Sequence, residues 1–430
     1  MTRHDRILSH IERDYNQPVR DPLWKHIYLS DGLMRVIDTS VFQKLSRIKQ
    51  LGPSYLVYPG ATHTRLNHSL GVFHIGRSML RALLTRTQCP ELTLEGAKAF
   101  LAACLLHDLG HFPYTHSLKE LPLIEHEQLT GRLVTEGDIA ARLRESVGID
   151  PEAVRAIVDE TVPIGADNEI AFYRNILSGT LDPDKLDYLN RDAYFCGVPY
   201  GIQDIDFAVS RIRPTVDHRL ALDNKGVSAV ENILFSKYLM YRAVYWHRTV
   251  RAATAMIKKA LYQGLQEHVI APQELYGLDD EQFFARFSSE RTRIFRLIEN
   301  VPDRNLHRTV LERPWTGAEP EAGRIASLAN RTEIETKMVE ELSHEAGRHI
   351  SEGEIIIDLP EAVSFEIAMP VTGGASIIDY SDTDTVFTPG VIEDFTRTLR
   401  RLRVMVSREV AERIPVQRIN QTFDAAVTLS

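Results

Sequence analysis

The chain lacks the features that mark secreted, membrane-spanning and nucleic-acid-coating proteins. Its three cysteines (Cys89, Cys104 and Cys196) have no paired spacing, and an odd count is typical of a reducing compartment. No apolar run approaches the roughly 20 residues that span a bilayer, and the polar N-terminus has no signal-peptide core. The net charge of −9, from 50 basic and 59 acidic residues, argues against a surface built mainly for nucleic acid. These absences predict a soluble, cytoplasmic protein without a membrane partner.

Two further absences narrow the class of protein. The chain has no internal repeat or low-complexity tract. It also has no GxxxxGK[ST] motif, so GATHT at residues 60–64 is not a phosphate-binding P-loop. A hydrophobic content of 43% and a charged content of 25% are ordinary for a globular enzyme. At 430 residues we expect two parts: a helical catalytic domain over residues 1–330 and a small α+β lobe over residues 331–430.

Hydrophobic periodicity predicts a mainly α-helical protein. The clearest helices are expected over residues 33–51, 66–84, 94–108 and 228–265. Residues 1–35 are expected to be irregular apart from a short strand at HIYL, and YLVYPGATHT to form a strand and a turn. After residue 350, short runs rich in β-branched residues predict strands, namely EIIIDLP, VSFEIAMPV and LRVMVS.

Four ionisable side chains stand where an apolar helix ends. The run LAACLL is followed by His107, Asp108, His111 and His116 within ten residues. Neutral imidazole nitrogen and carboxylate oxygen are common ligands of divalent metals, and a catalytic metal site leaves a position open for water. A single His-Asp pair is a weak indication, whereas this density after a buried helix predicts a metal-dependent site.

Further ligands must come from other parts of the chain, because one His-Asp pair cannot fill a coordination sphere. His68 opens a helix in TRLNHSLG, and Asp184 lies in DPDKLDY, where Asp182-Pro183 indicates a helix start. Two imidazoles and two carboxylates suit Mn, Fe, Zn, Co or Ni or, with more water, Mg. Spacing alone leaves an alternative open, in which His68 is a surface histidine and Asp184 a helix cap.

Four motifs occur in an order that points to one family: HTRLNHSLG, HDLGHFPYTH, IEHEQ and DPDKLDYLNRD. Over about residues 17–265 the chain resembles the HD-domain phosphohydrolase superfamily, specifically its deoxynucleoside triphosphate triphosphohydrolase branch. The resemblance implies hydrolysis of a dNTP to deoxynucleoside and inorganic triphosphate. It also implies one divalent transition metal, with Mg a candidate on the substrate phosphates, and a homo-oligomer (a dimer or tetramer).

The resemblance assigns roles to matching residues. The implied metal ligands are His68, His107, Asp108 and Asp184. The implied catalytic groups are Arg65 as a phosphate contact and His111, His116 and His126 as phosphate-binding or proton-transfer groups. The implied substrate contacts are Gln50, Leu51, Lys185, Tyr188, Asp192, Lys237, Tyr241 and Tyr245.

Helical spacing agrees with part of this assignment. Asp184, Tyr188 and Asp192 share one helix face at i, i+4 and i+8, and Lys237, Tyr241 and Tyr245 form a second stripe. A solvated face is the alternative for the first stripe, and a packed core for the second.

Several positions depart from the family pattern. Lys237, Tyr241 and Trp246 replace an arginine, a histidine and a glutamine, so base preference cannot be carried over. Lys119 stands where a carboxylate partner of the catalytic histidine is expected, although Glu120 is adjacent. At the branch's activating GTP site Asp38 and Gln43 are kept, but two expected cations are replaced by Gln17 and Ser46. Activation by GTP is therefore not expected.

Two other functions stay open on the sequence. One is an HD phosphohydrolase of another substrate, such as a monophosphate, a cyclic or signalling nucleotide, or single-stranded nucleic acid. The other is a nucleotide-binding regulator that turns over slowly. The complete set of metal-binding residue types argues against the second, and nucleic acid is a less favoured partner than a nucleotide.

Overall fold

Helices dominate the computed structural model, which describes residues 2–86, 88–215, 217, 219–365, 369–373 and 376–429. The α-helices of these residues, in chain order α1 to α20, are Arg3–Arg13, Asp31–Ile37, Ser40–Gln43, Arg65–Leu84, Leu94–Leu106, His126–Thr135, Gly137–Arg142, Pro151–Val158, Asn168–Leu177, Pro183–Cys196, Ile205–Arg211, Val227–Met240, Arg248–Gln266, Asp280–Arg286, Arg296–Glu299, Ala322–Ile325, Leu328–Ala346, Pro389–Leu399, Arg408–Arg413 and Val416–Leu429. None of the described helices combines the length and apolar character needed to cross a bilayer.

The strands form three small sheets. In chain order β1 to β9 they are Tyr15–Asp21, Lys25–Ser30, Ile212–Pro214, Leu220–Asp223, Arg308–Pro314, Ile355–Asp358, Pro370–Gly373, Ser376–Asp379 and Arg401–Val406. The sheet orders are β1-β2, β3-β4-β7-β8 and β5-β9-β6, and all pairings are antiparallel except β4 with β7. A mainly α fold with a small C-terminal α+β region is confirmed. The three-stranded sheet takes strands from both sides of residue 330, and a domain division there stays a prediction.

Helices α4 and α5 form the core that carries the site. Thr93 caps α5, since its hydroxyl accepts a hydrogen bond of 2.9 Å from the Gly96 amide. Phe100 of α5 stacks on Tyr173 with ring centroids 5.0 Å apart. A Cβ at Gly76 of α4 would lie 2.5 Å from Cys104 Sγ, so this glycine lets the two helices approach closely. The buried α5 ends at Leu106 and His107 is its C-cap, which fixes the position of the His-Asp pair.

Two segment predictions are wrong. The strand expected at HIYL is confirmed as part of β2, but the rest of residues 2–35 is regular rather than irregular, since it forms α1, β1 and the start of α2. The helix α1 buries only Ile7 and Ile11, which leaves too short an apolar pattern to see in the sequence. The predicted strand at YLVYPGATHT is instead a 3-10 helix over Gly52–Leu56 followed by turns, since the positive φ of Gly52 turns the chain into it.

The long predicted helices exist but are interrupted. The segment over residues 33–51 divides into α2, α3 and a 3-10 helix at Lys44–Arg47. The helix expected over residues 228–265 is broken by a π-helical turn at Tyr241–Tyr245, between α12 and α13. Of the predicted strand VSFEIAMPV, residues 366–368 lie outside the described residues, and β7 begins at Pro370.

A buried histidine in the loop before β5 makes stability depend on pH. Burial lowers the pKa of His307 to about 4, and its Nε2 lies 2.7 Å from the Gly353 carbonyl oxygen. The unfolded chain takes up this proton near pH 6.5 and the folded chain only near pH 4. The free energy of unfolding should therefore fall by up to about 3 kcal/mol as the pH drops across this window.

Urea titrations at several pH values test this pH dependence against a variant. We expect His307→Gln, which keeps a side-chain donor, to lose stability less steeply than the wild type between pH 6.5 and pH 4. The same substitution at exposed His344 should leave the slope unchanged. Parallel curves for the wild type and His307→Gln would contradict the assignment.

Candidate metal site

The first turn of α4 and the start of α10 bring His68 and Asp184 together. The amide of Thr64 donates to the Asn67 side chain (3.0 Å), which fixes the start of α4. Asp182 caps α10 by accepting a 2.6 Å hydrogen bond from the Lys185 amide, and Pro183 follows at the first helical position. His68 Nε2 then lies 2.8 Å from Asp184 Oδ1. Asp184 is thus more than a cap or a solvated carboxylate.

The His-Asp pair closes the same cluster from the end of α5. His107 Nε2 lies 3.3 Å from Asp108 Oδ1 and 3.8 Å from Asp184 Oδ1. Asp108 Oδ2 is 3.9 Å from His68 Nε2. The side chains predicted as metal ligands therefore meet in one place, although they come from three helix ends.

The donor set fits a divalent cation. His107 Nδ1 donates to the Cys104 carbonyl oxygen at 3.0 Å, which directs the lone pair of Nε2 into the cluster. That Nε2 is buried and has no hydrogen-bond partner among the described residues. One atom from each of His68, His107 and Asp184 lies within 4.8 Å of the others. Imidazole and carboxylate groups so arranged can hold a metal ion; which metal is bound stays a prediction.

The cluster attracts positive charge. Burial would raise the pKa of Asp108, but His111, His107 and Arg65 hold it well below its usual range. Arg65 Nη1 donates to Asp108 Oδ2 at 2.6 Å. Burial would also lower the pKa of His68, yet the hydrogen bonds to Asp184 and Asp187 raise it to about 10. The carboxylates thus stabilise a cation at the position that a metal would take.

Asp187 positions the imidazole of His68, a role that was not predicted from the sequence. Its Oδ2 lies 2.9 Å from His68 Nδ1, so this carboxylate fixes the imidazole orientation from the side away from the cluster. Two hydrogen bonds from Arg191 (2.8 and 2.9 Å) and one from Trp24 Nε1 (2.6 Å) hold Asp187 in turn. The spacing of Asp184, Asp187 and Arg191 at i, i+3 and i+7 was the available sequence signal.

Gly71 makes room for this support. A Cβ there would lie 1.8 Å from Asp187 Oδ1 and 2.5 Å from Arg191 Nη2. The glycine of HTRLNHSLG is therefore required by close approach to a buried ion pair, and any side chain would displace Asp187 from His68.

Replacing Asp187 with asparagine should weaken metal binding by about 10–100-fold, as for other partners of metal ligands. The variant keeps the shape but loses the negative charge that orients His68. Metal titration by isothermal calorimetry measures this, with the exposed Asp206→Asn as a control. Unchanged metal affinity in Asp187→Asn, with an intact fold, would show that Asp187 does not support a ligand.

Three histidines form a second cluster beside the first. The ring centroids of His111, His116 and His126 lie 3.9 to 5.1 Å apart. His111 Nε2 and His116 Nε2 are 3.1 Å apart, and His111 Nδ1 is 3.4 Å from Asp108 Oδ1. Burial first, then Arg65, lower the pKa of His111. The trio is therefore linked to the metal cluster through Asp108 and is rich in neutral imidazole.

The carboxylate beside the trio is Glu127, which the sequence analysis did not select. Its Oε2 lies 3.1 Å from His126 Nδ1. Glu120 is not available to the histidines in the same way, because it forms ion pairs with Lys258 of α13 and Arg331 of α17. Lys119 is exposed. The sequence alone could not show which of the two glutamates, Glu120 or Glu127, faces His126.

The residues expected at a sugar form a buried group around Asp192. Tyr245 donates to Asp192 Oδ2 at 2.7 Å, and His63 Nε2 lies 2.8 Å from Asp192 Oδ1. His63 was missed; it belongs to GATHT, which was considered only as a phosphate loop. Three further members contact this group: Tyr188 (6.4 Å from Tyr245 between ring centroids), Tyr241 (5.0 Å from Tyr245) and Gln50 (its amide donates to the His63 carbonyl oxygen at 3.0 Å). Leu51, which follows Gln50, is half-buried, and its place at the sugar stays a prediction.

The two predicted phosphate lysines contact other groups of the chain. Lys185 pairs with the Asp182 carboxylate and donates to the Gly179 carbonyl oxygen at 2.9 Å. Lys237 is buried and donates to the Ser364 carbonyl oxygen at 2.7 Å. Both ammonium groups are therefore already engaged by other groups of the chain.

Comparisons with known proteins agree with this geometry. The HD domain family matches residues 65–161, and the HD associated region matches residues 209–426, half of the chain. Bacillus subtilis YwfO, an uncharacterized protein, is 36% identical over 256 residues, which cover 58% of this chain and 56% of that protein. The human deoxynucleoside triphosphate triphosphohydrolase SAMHD1 is 28% identical over 292 residues, which cover 59% of this chain and 46% of that enzyme.

A solved structure extends the likeness over nearly the whole chain. A hypothetical protein from Aquifex aeolicus superposes with a TM-score of 0.71 at 25% identity, covering 94% of this chain and 99% of that one. By contrast, the matches to the two curated relatives named above span only about half of their lengths, 56% of YwfO and 46% of human SAMHD1.

Proposed function

Because the chain belongs to the HD-domain family, we propose that it hydrolyses deoxynucleoside triphosphates to deoxynucleoside and inorganic triphosphate. The observation that carries the proposal is the meeting, around Asp108, of the metal cluster, Arg65 and the histidine trio. The similarity to a human enzyme named for this reaction supports it. The proposal includes action in the cytoplasm as a dimer or tetramer.

The metal cluster would hold one divalent ion through His68, His107, Asp108 and Asp184. Such an ion lowers the pKa of bound water and polarises a phosphoryl oxygen. The choice among Mn, Fe, Zn, Co and Ni, and of Mg on the phosphates, is part of the proposal.

The chain's own cation and imidazoles serve the phosphate. Arg65 points its guanidinium at Asp108, so it can offset negative charge that develops on a phosphate beside the cluster. His111, His116 and His126 lie close enough to exchange a proton among themselves, and a neutral imidazole can become the acid that protonates a departing 5′ oxygen. Burial lowers the pKa values of His111 and His126, so these two imidazoles would take up a proton only when the phosphate's negative charge is present.

The buried group around Asp192 would receive the sugar. Asp192 accepts hydrogen bonds at both carboxylate oxygens, so a sugar hydroxyl would take the place of, or join, His63 and Tyr245. In this proposal the phenol of Tyr245, which donates to Asp192 at 2.7 Å, would crowd a 2′-hydroxyl and so favour deoxyribose over ribose.

Product analysis tests the proposal. Each dNTP and the matching rNTP would be incubated with Mn or Mg, with and without nucleotide activators, and the products separated by ion-exchange chromatography. We expect deoxynucleoside plus intact triphosphate, with rNTPs poorer by at least tenfold. Formation of monophosphate plus pyrophosphate would show that a different bond is cleaved and would contradict the proposal.

A second candidate is favoured by the two engaged lysines. With Lys185 on Asp182 and Lys237 on the Ser364 carbonyl oxygen, the site offers fewer cations for a polyphosphate chain than its relatives' pattern implies. A nucleotide with a single phosphate would need only Arg65 and the histidine trio. Release of inorganic phosphate from deoxynucleoside monophosphates, with no turnover of dNTPs, would establish this candidate instead.

A further inference from the structure

A cavity of about 440 Å³ opens beside residues 107–116, here called the catalytic loop, and none of its lining residues has a role in the proposed reaction. It is formed by α3, the 3-10 helix after it, α6 and the segment before α14. Its lining residues are Ser40, Val41, Lys44, Arg47, Gly110, Leu129, Arg132, Leu133, Tyr276, Gly277 and Gln282. A cavity of this size has room for a small organic molecule.

The charge of the lining is one-sided. Lys44, Arg47 and Arg132 contribute three cations, and none of the lining residues is acidic, in a chain whose net charge is −9. Arg47 is paired with Asp279 at 2.6 Å behind the lining. Arg132 is exposed and, within the described ranges, has no carboxylate within ion-pair distance. The cavity is therefore a local positive site on an acidic protein.

Lys44 is the unusual member of the group. Its side chain is 7% exposed, and its ammonium donates to the carbonyl oxygens of Leu109 (3.4 Å) and His111 (3.1 Å). Burial lowers its pKa to about 8. Two carbonyl groups are weak partners for a buried cation, which is stabilised far more by a negative charge. An anion in the cavity would supply that charge.

The remaining walls are apolar. Val41, Leu129 and Leu133 are buried or half-buried, and Tyr276 adds an aromatic ring whose hydroxyl accepts a hydrogen bond from the Ile124 amide (2.9 Å). Pockets that combine apolar walls with a few convergent polar groups bind small molecules rather than bare ions. Both parts of a ligand are thus defined: an anionic group and an apolar body.

We propose that this cavity is a second ligand site, separate from the metal cluster, that binds a small organic phosphate. The phosphate faces Lys44, Arg47 and Arg132, and the apolar body lies against Leu129 and Leu133. Phosphate fits better than carboxylate, because Lys44 and Arg132 have no carboxylate at ion-pair distance among the described residues, Arg47 adds further N–H donors, and phosphate carries more charge and more acceptor oxygens. Through Lys44, the ligand shares a cation with the backbone of Leu109 and His111 in the catalytic loop.

Binding without turnover tests the site, so the test does not rest on the proposed reaction. The full chain, in buffer containing EDTA, would be titrated by calorimetry with phenyl phosphate, and separately with inorganic phosphate and with phenol. We expect phenyl phosphate to bind more tightly than either fragment. Arg132→Glu, at an exposed position, should weaken its binding by at least about tenfold, the effect of losing a charged hydrogen bond.

Two further variants distinguish the cavity from other cationic surfaces. Arg144→Glu makes the same charge change at an exposed arginine outside the lining and should leave affinity unchanged. Lys44→Met should also weaken binding, provided that its melting temperature shows a folded protein. The proposal is overturned if phenyl phosphate does not bind at millimolar concentration, if Arg132→Glu has no effect, or if Arg144→Glu weakens binding equally. Equal affinity for phenol would exclude recognition of the phosphate, and equal affinity for inorganic phosphate would exclude the apolar part.

Discussion

Replacing Asp184 with alanine is expected to abolish hydrolysis, with a fall in turnover of more than about a hundredfold. Removing a residue that supports a metal ligand already lowers metal affinity or activity by about 10–100-fold. Asp184 is itself a proposed ligand and lies 2.8 and 3.8 Å from the two imidazoles of the cluster. Metal content, measured by atomic emission on the purified protein, should fall together with activity. The loss arises at the site, because one carboxylate oxygen no longer faces His68 and His107.

The control for this prediction is Asp206→Ala, which removes an exposed carboxylate from α11. It should keep both metal and activity. Circular dichroism should show the same helix content in both variants, since α10 keeps its Asp182 cap and the contacts between Asp187 and Arg191. Full activity in Asp184→Ala would disprove the proposed ligand set.

Replacing Arg191 with methionine is expected to lower the free energy of unfolding by about 3–5 kcal/mol. Arg191 is fully buried and pairs with Asp187 (2.8 and 2.9 Å) and with Asp21 (2.8 Å). Its removal leaves two carboxylates buried without their counter-charge, which is the costly case for an ion pair. Urea unfolding followed by circular dichroism measures the change.

A matched substitution separates charge burial from loss of an arginine in general. Arg144→Met, at an exposed position, should change stability by no more than about 0.5 kcal/mol. In Arg191→Met, metal affinity should fall as well. Asp187 loses the two hydrogen bonds from Arg191 that keep it in place against His68. A stability change in Arg191→Met as small as in the control would show that the buried carboxylates find other partners.

The sequence predicted the parts of the fold that follow from local pattern. Helices α4 and α5 begin within a residue of the predicted positions, because polar caps and long apolar stripes mark them. Prediction from the sequence failed where contacts between distant segments determine the local structure. The π-helical turn at Tyr241–Tyr245 has no breaker residue, and β5 gains its strand form only by pairing with β9, about 90 residues later in the chain.

The candidate site shows the same division. The side chains of HTRLNHSLG, HDLGHFPYTH and DPDKLDYLNRD do converge, and they were found because each motif carries its chemistry in a short run. The residues that position these side chains were not predicted. Asp187 and His63 act on His68 and Asp192 from more than a hundred residues away in the chain, and only the fold brings such pairs together. The engagement of Lys237 by the Ser364 carbonyl oxygen likewise depends on a distant segment.

The ion pairs of Glu120 also set the order in which parts of the site can form while the chain is being synthesised. Arg331, one of its two partners, is made 211 residues later, after most of the helical part has left the ribosome. Until then, of its two ion-pair partners, the loop between His116 and His126 has Lys258 alone to neutralise Glu120. A nascent chain can therefore assemble the metal cluster early, while the histidine side of the site reaches its final form only when α17 has been synthesised and docked.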